Sequence, residues 1–279
     1  VADAVTIGVM SQPEDICLLR HDGSGKNAFK NPLSFRYLDD NFIESDAVKI
    51  GKTFMDYLKK TKDPRIHVYC SLKDGNTEFD KQFGLPNGYD SHTIADAPSG
   101  SFVGLENTSN FNINTILRLD APTIFLMPSE TKLLLAEAVL RNWTNGNAEV
   151  LYKEAITSSM KEQEIAYGTQ GKITDEEIET YLAQNLFSTA NNTEKLQIIG
   201  EQYWVATFIN GYESYANWRR TGYPKLIPTN YSGSMSPGVI PTRLPYPTDE
   251  YSINRANVDT ANQQQGADKV TTHIWWDID

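Results

Sequence analysis

Pro128-Ser129-Glu130-Thr131-Lys132-Leu133-Leu134-Leu135-Ala136-Glu137-Ala138-Val139-Leu140, followed through Asn145-Gly146-Asn147-Ala148 as far as Gln163, is the stretch that decides the fold. Ser129 is a good N-cap residue and Glu130 places a carboxylate in the first turn, where the helix dipole favours it. The run from Leu133 to Leu140 then reads as helix, and Asn145-Gly146 stops it. A second helix is expected from Asn147 to Gln163, with Ala148, Leu151, Tyr152, Ala155, Ile156 and Met160 at steps of three and four. So short a turn leaves the two helices antiparallel. A tetratricopeptide repeat needs a small residue of its first helix facing a small residue of its second. Ala136 and Ala148 stand twelve apart, as that repeat requires, and Leu135, Val139, Tyr152 and Ala155 take its other signature positions. Met160 stands where the repeat expects proline. A generic helical hairpin is the alternative reading.

Outward from this pair, a further helix is expected after Asn191-Asn192-Thr193, with Thr193 as cap and Leu196, Ile199, Gly200, Tyr203 and Phe208 behind it; its partner runs from Gly211 to Arg220. Gly168 to Gly171 is a break and Asp175 to Asn185 a short helix. One or two repeats cannot bury their own faces, so either more helices or the loop-rich segments must cover them. Residues 1–120 are rich in Asn, Asp, Gly, Pro and Ser and predict one short helix, Asp46 to Lys59, with Val48, Phe54, Met55 and Leu58 as a partial apolar stripe. Beyond Thr221, prolines at 224, 228, 237, 241, 245 and 247 forbid long helices, and 221–279 reads as an ordered but irregular wrap ending in Ile274-Trp275-Trp276. The expected fold is therefore mainly α: tetratricopeptide-like helical pairs over 121–220 with loop-rich, irregular flanking regions.

Composition narrows the function. The apolar share of 39% and the charged share of 22% are those of a globular chain. A net charge of −11 argues against nucleic-acid binding, which needs clustered Lys and Arg, and suits neutral or cationic ligands. The 14 Tyr, 11 Phe and 5 Trp could serve packing or supply stacking platforms. Cys17 and Cys70, with His21, His67, His92 and His273, show no metal-ligand spacing, so no metal or cofactor is expected. The two cysteines could pair in an oxidising compartment or remain free thiols. No apolar run approaches the 18 or so residues of a membrane-spanning helix.

Several strings, in order, resemble the SusD/RagB family of nutrient-binding lipoproteins. They are Asp63-Pro64-Arg65-Ile66; Gly84-Leu85-Pro86-Asn87-Gly88; Pro128-Ser129-Glu130 leading into Leu135-Ala136-Glu137-Ala138; Asn210-Gly211-Tyr212-Glu213 running into Trp218-Arg219-Arg220-Thr221-Gly222-Tyr223-Pro224; Ile240-Pro241-Thr242-Arg243-Leu244-Pro245-Tyr246-Pro247 with Glu250 and Asn254; and Trp275-Trp276-Asp277. The resemblance implies a single SusD-like domain of which this chain is the C-terminal portion. It also implies an outer-membrane lipoprotein facing the exterior, anchored through an N-terminal cysteine absent from this sequence. The implied function is non-catalytic capture of a glycan, or in some members a peptide, beside a SusC-like TonB-dependent transporter.

Ligand capture calls for aromatics interleaved with amides and carboxylates in loops, because sugars offer apolar ring faces and hydroxyl rims. The densest such stretch is Asn27 to Phe42. Phe29, Tyr37 and Phe42 are the candidate platforms there, and Asn31, Asp39 and Asn41 the hydrogen-bonding partners; Tyr231, beside Asn230, is a lesser candidate. These same aromatics could instead pin the loop to the core. The Trp218-Arg219-Arg220 and Trp275-Trp276 strings read as scaffold, Arg at a helix end offsetting the macrodipole. A glycosidase is the rival class, with Asp39-Asp40 or Glu176-Glu177 as its acids. Adjacent residues rarely face each other across a bond, and Glu176-Glu177 stand at a helix start, where acids are favoured anyway. No nucleophile elbow, P-loop or HExxH string occurs. A protein-interaction scaffold is the third class, and the loop-rich flanks weigh against it.

Overall fold

The Pro128–Gln163 stretch folds as two helices joined by a short turn, and most of the chain is assembled around them. The computed structural model describes residues 1–39, 49–89, 93–230 and 234–277. In chain order the elements are α1 (Ala2–Ile7), β1 (Cys17–Leu19), α2 (Pro32–Asp39), α3 (Lys52–Thr61), α4 (Ile66–Tyr69), β2 (Cys70–Ser71), β3 (Asn110–Phe111) and β4 (Thr123–Leu126). Then come α5 (Pro128–Leu140), α6 (Ala148–Tyr167), α7 (Asp175–Gln184), α8 (Asn192–Ala206), α9 (Gly211–Thr221), α10 (Thr248–Ile253) and α11 (Arg255–Gln265). The chain divides into one unit of Val1–Pro86 with Ala97–Pro224 and a second of Asn87–Asp96 with Lys225–Asp279.

The helix ends follow their local chemistry, not always as the sequence reading had it. Pro128 occupies the first position of α5, where its missing N–H costs nothing, and Met127 is the N-cap. Ser129 is thus inside the helix and does not cap it. Its N–H and hydroxyl both donate to the Glu162 carboxylate of α6, at 2.9 and 2.6 Å. Asn147 caps α6 by accepting from the N–H groups of Glu149 and Val150. Asn191, not Thr193, caps α8, in a reciprocal capping box with Glu194. Thr174 and Glu177 make the same box at α7. The helix expected over Asp46–Lys59 begins at Lys52; 46–48 lie outside the described residues.

Ala136 and Ala148 are 0% and 9% exposed and belong to one core with Leu133, Tyr152, Ala155, Ile156 and Met160. Burying each large apolar side chain contributes roughly 1.5–3 kcal/mol. The loop-rich region does cover the helical faces: Phe54, Met55 and Leu58 of α3, with Tyr69 and Ile116, enter this same core. Phe54 stacks on Phe208 at 4.4 Å and meets the edge of Trp204 at 5.0 Å, while Tyr69 stacks on Phe208 at 4.8 Å. Two small antiparallel sheets, β1 with β4 and β2 with β3, pin the loops. The Gly84-Leu85 string runs beside the start of α3, where Lys52 N–H donates to Leu85 O at 2.7 Å. A Cβ on Gly84 would collide with the Lys52 backbone, so glycine is required there.

The second unit departs from the expected irregular wrap. α10 and α11 both lie in it, after the last of the prolines at Pro247. α11 has a single buried residue, Val258, so it carries no apolar stripe that a periodicity search could detect. Cys17 is exposed and Cys70 buried, and both are free thiols; burial pushes the Cys70 thiol up. Among the described residues no helix is long and apolar enough to cross a membrane.

Candidate functional site

Three arginine–carboxylate pairs form the framework, and each arginine comes from one of the strings quoted above. Arg65 and Asp63 are both 0% exposed. Asp63 Oδ1 accepts from the Arg65 backbone N–H and from Nε, at 3.0 and 2.9 Å. Nη2 donates to Asp63 Oδ2 and to Gln202 of α8, the latter at 2.6 Å, and Nη1 donates to Ser159 of α6 at 2.9 Å. The Gln202 amide donates in turn to the hydroxyls of Tyr57 of α3 and Tyr181 of α7, at 3.0 and 2.7 Å. Burial alone would lower the Arg65 pKa, but the Asp63 carboxylate outweighs it and the net shift is upward. Arg220 of α9 grips Glu137 of α5 through two 2.7 Å bonds, and Arg141 adds a third. Burial alone would raise Glu137; the two guanidinium groups outweigh it and hold the carboxyl below its usual range. Arg220 thus pairs with a carboxylate of another helix, beyond the dipole role its place at a helix end suggests. In the second unit Arg243 pairs with Asp268 at 2.8 Å, and Asp268 also accepts from the Tyr251 hydroxyl at 2.6 Å.

The candidate residues of the 27–42 stretch part company. Phe29 is 57% exposed, on a 3-10 turn over Asn27–Phe29. Its carbonyl accepts from Asp22 N–H at 2.9 Å, and Gly25 lies against its ring. Asp22 accepts from the backbone and hydroxyl of Ser24, which holds its carboxyl below the usual range. Gly23 abuts Asp120, which is paired with Arg118. Lys30 donates to Asn27 at 3.1 Å. Phe29 is thus an exposed ring on a turn whose sequence neighbours Asp22, Asn27 and Lys30 carry a carboxylate, an amide and an ammonium. Asn31 is buried and caps α2: its Oδ1 accepts from Leu33 and Ser34 N–H, and its Nδ2 donates to Ala121 O at 2.8 Å. Tyr37 is 3% exposed and packs on Phe111 at 5.8 Å, so it offers no ring face to solvent. The Asp39 side chain, Asn41, Phe42 and Tyr231 lie outside the described residues.

A larger concavity lies elsewhere in the same unit and was not anticipated. A hollow of about 660 Å³ opens between α4, α7 and the turn carrying Phe79. A second, of about 400 Å³, lies between α3, α7 and α8. Tyr181 and Gln184 line both. Residues from five separate segments build the groove, which is why no local string announced it. The one signal was Asp63-Pro64-Arg65, whose buried pair supports the Tyr181 floor through Gln202. Among the described residues no cluster of His, Cys, Asp or Glu is arranged to hold a metal ion.

A family model described as "Starch-binding associating with outer membrane", SusD-like, matches residues 1–247. The chain belongs to the SusD-like family. This is a non-catalytic binding family, and in this SusD-like chain Glu177 is engaged in the Thr174 capping box. No curated protein matches the chain. Among solved structures, a chitin-binding protein is 29% identical with a TM-score of 0.78, over 99% of this chain and 58% of that one. A Bacteroidetes SusD-like protein is 23% identical with a TM-score of 0.80, over 100% and 64%. A chitin-binding SusD homolog from Flavobacterium johnsoniae is 24% identical with a TM-score of 0.72, over 99% and 57%. The SusD-like chain therefore spans about three-fifths of the length of these solved relatives.

Proposed function

We propose that this SusD-like chain belongs to a lipoprotein on the outer face of the outer membrane. There it captures a glycan without cleaving it and delivers it to a SusC-like TonB-dependent transporter. The family match over residues 1–247 carries this reading. The 29% identity to a chitin-binding protein favours a β-linked N-acetylglucosamine polymer as the glycan. The reading treats regions 1–120, 121–220 and 221–279 as parts of one SusD-like domain. Phe29 is its stacking platform in the 27–42 stretch, with Asp22, Asn27 and Lys30 within reach of sugar hydroxyls. Asp39, Asn41, Phe42 and Tyr231 remain candidates as well. The test is calorimetry of the full-length protein with N-acetylglucosamine and maltose oligomers and with short peptides. Heat of binding from an oligosaccharide supports the reading. Binding of peptides alone would move the protein to the peptide-binding branch, and the glycan reading would fall.

A further inference from the structure

We propose that the groove along α7 is a second glycan subsite, one that takes a linear neutral or amino-sugar chain and excludes uronic-acid chains. The inference rests on the capture function above, but on different residues from the Phe29 surface.

Four observations converge. The first is size: about 660 Å³ lies within the range of small-ligand sites, and the adjoining hollow of about 400 Å³ extends it. Two hollows meeting at Tyr181 and Gln184 make an elongated site, suited to a chain more than to a single ring. The second is the wall. Phe79 is half-buried and lines the larger hollow, with the Lys59 ammonium 6.0 Å over its ring, and the rest of its surface gives a pyranose face an apolar contact. The third is the rim. Thr180, Gln184 and Glu176 stand on the groove side of α7, at spacings of four and eight along one helical face, and are exposed. They supply hydroxyl, amide and carboxylate groups to a hydroxyl-rich ligand.

The fourth is charge, and it decides the class. Asp80, Glu176 and Glu177 line the larger hollow and Glu201 the smaller, against Lys62 as the one lysine or arginine among the described lining residues and Lys59 just behind them, donating to the Asp80 carbonyl at 3.4 Å; four acids thus face two lysines, and His67 completes the titratable set there with Tyr57, Tyr152 and Tyr181. At neutral pH the groove is net negative. A chain of uronates would place a carboxylate on every ring within a Debye length, roughly 8–10 Å, of these acids. A neutral chain meets no such repulsion, and a free amine is attracted. The floor is also prepared in advance: Tyr181 is held by Gln202, and Gln202 by the buried Arg65, so the groove need not order itself on binding.

Hydrogen–deuterium exchange of the full-length protein tests this with three probes: tetramers of N-acetylglucosamine, of glucosamine and of galacturonate. Protection of 77–80 and 176–184 by the first or second, and none by the third, is expected. Phe79→Ala should weaken that protection about tenfold in ligand concentration. Because Phe79 also packs on the core, Glu176→Lys serves as an independent arm. It should weaken glucosamine binding and admit galacturonate. Phe29→Ala should leave protection of the groove in place. Protection by sugars only at 22–30 would overturn the groove while leaving capture intact. Equal protection by galacturonate would overturn the charge argument. No protection anywhere by any of the three sugars, with no heat in calorimetry, would sink both readings.

Discussion

Glu130 gives the protein a stability that falls as pH rises from the acid range to neutrality. It sits in the first turn of α5, buried, and its Oε1 has no hydrogen-bond partner among the described residues. Desolvation pushes its pKa up to about 7, and the carboxylates of Glu213 on α9 and Glu162 on α6 push the same way; a hydrogen bond from the Met127 backbone opposes them only in part. Tyr203, whose hydroxyl donates to Glu213 at 3.4 Å, closes this group. In the unfolded chain Glu130 titrates near its ordinary 4.5. Between those two values the folded state holds a proton that the unfolded state has released. The contribution is fully present below 4.5 and is lost as pH rises to 7. A difference of about 2.5 pH units at 1.36 kcal/mol each gives roughly 3 kcal/mol. Glu130→Gln mimics the protonated acid and cannot ionise. Urea denaturation of both proteins from pH 4.5 to 8 should show similar stability at the acid end and a gap opening toward pH 8. The variant should then be the more stable by about 3 kcal/mol. A difference that does not change with pH, or one that opens in favour of the wild type, would refute the reasoning.

Arg65→Met should cost about 3–5 kcal/mol in urea denaturation by leaving Asp63 buried without its partner, and combining it with Asp63→Leu should recover part of that loss. Ala148→Leu should overpack the α5–α6 contact and lower stability by about 1–3 kcal/mol in the same assay; an unchanged midpoint would argue against close approach of the two helices there. Phe29→Ala should weaken oligosaccharide binding by about tenfold in calorimetry with an unchanged circular dichroism spectrum, since the ring is mostly exposed. Prolonged incubation with any oligosaccharide that binds should release no reducing sugar.

The paired helices were legible because their buried positions recur at three and four, from Leu133 to Met160. Their caps were less so, because several residues compete for one role. Ser129 is a good cap in isolation, yet Pro128 beside it fits the first helical position and Ser129 is claimed by Glu162. Asn191 outcompetes Thr193 because Glu194 stands at the distance that closes a capping box. α11 was invisible to periodicity, with Val258 alone facing inward. The site was the hardest part. Phe29 and Tyr37 look alike in sequence, but the helical register of α2 turns Tyr37 onto Phe111 and leaves Phe29 on the turn before it. The groove along α7 depends on which helices become neighbours, and no stretch of the chain records that.

The buried arginine also bears on the order in which the chain assembles. Asp63 and Arg65 are two residues apart, so their pair can form in a nearly unstructured segment with almost no loop to close. The guanidinium then travels inward already matched to its countercharge. Ser159 and Gln202 lie 94 and 137 residues further along and must be delivered by α6 and α8. A collapse that seats either helix one turn out of place leaves charged N–H donors against apolar neighbours, at a penalty of several kcal/mol. The motif thus acts as a proofreading contact. It is satisfied by only one mutual placement of the helices that meet there, so the frame beneath the surface loops holds its register.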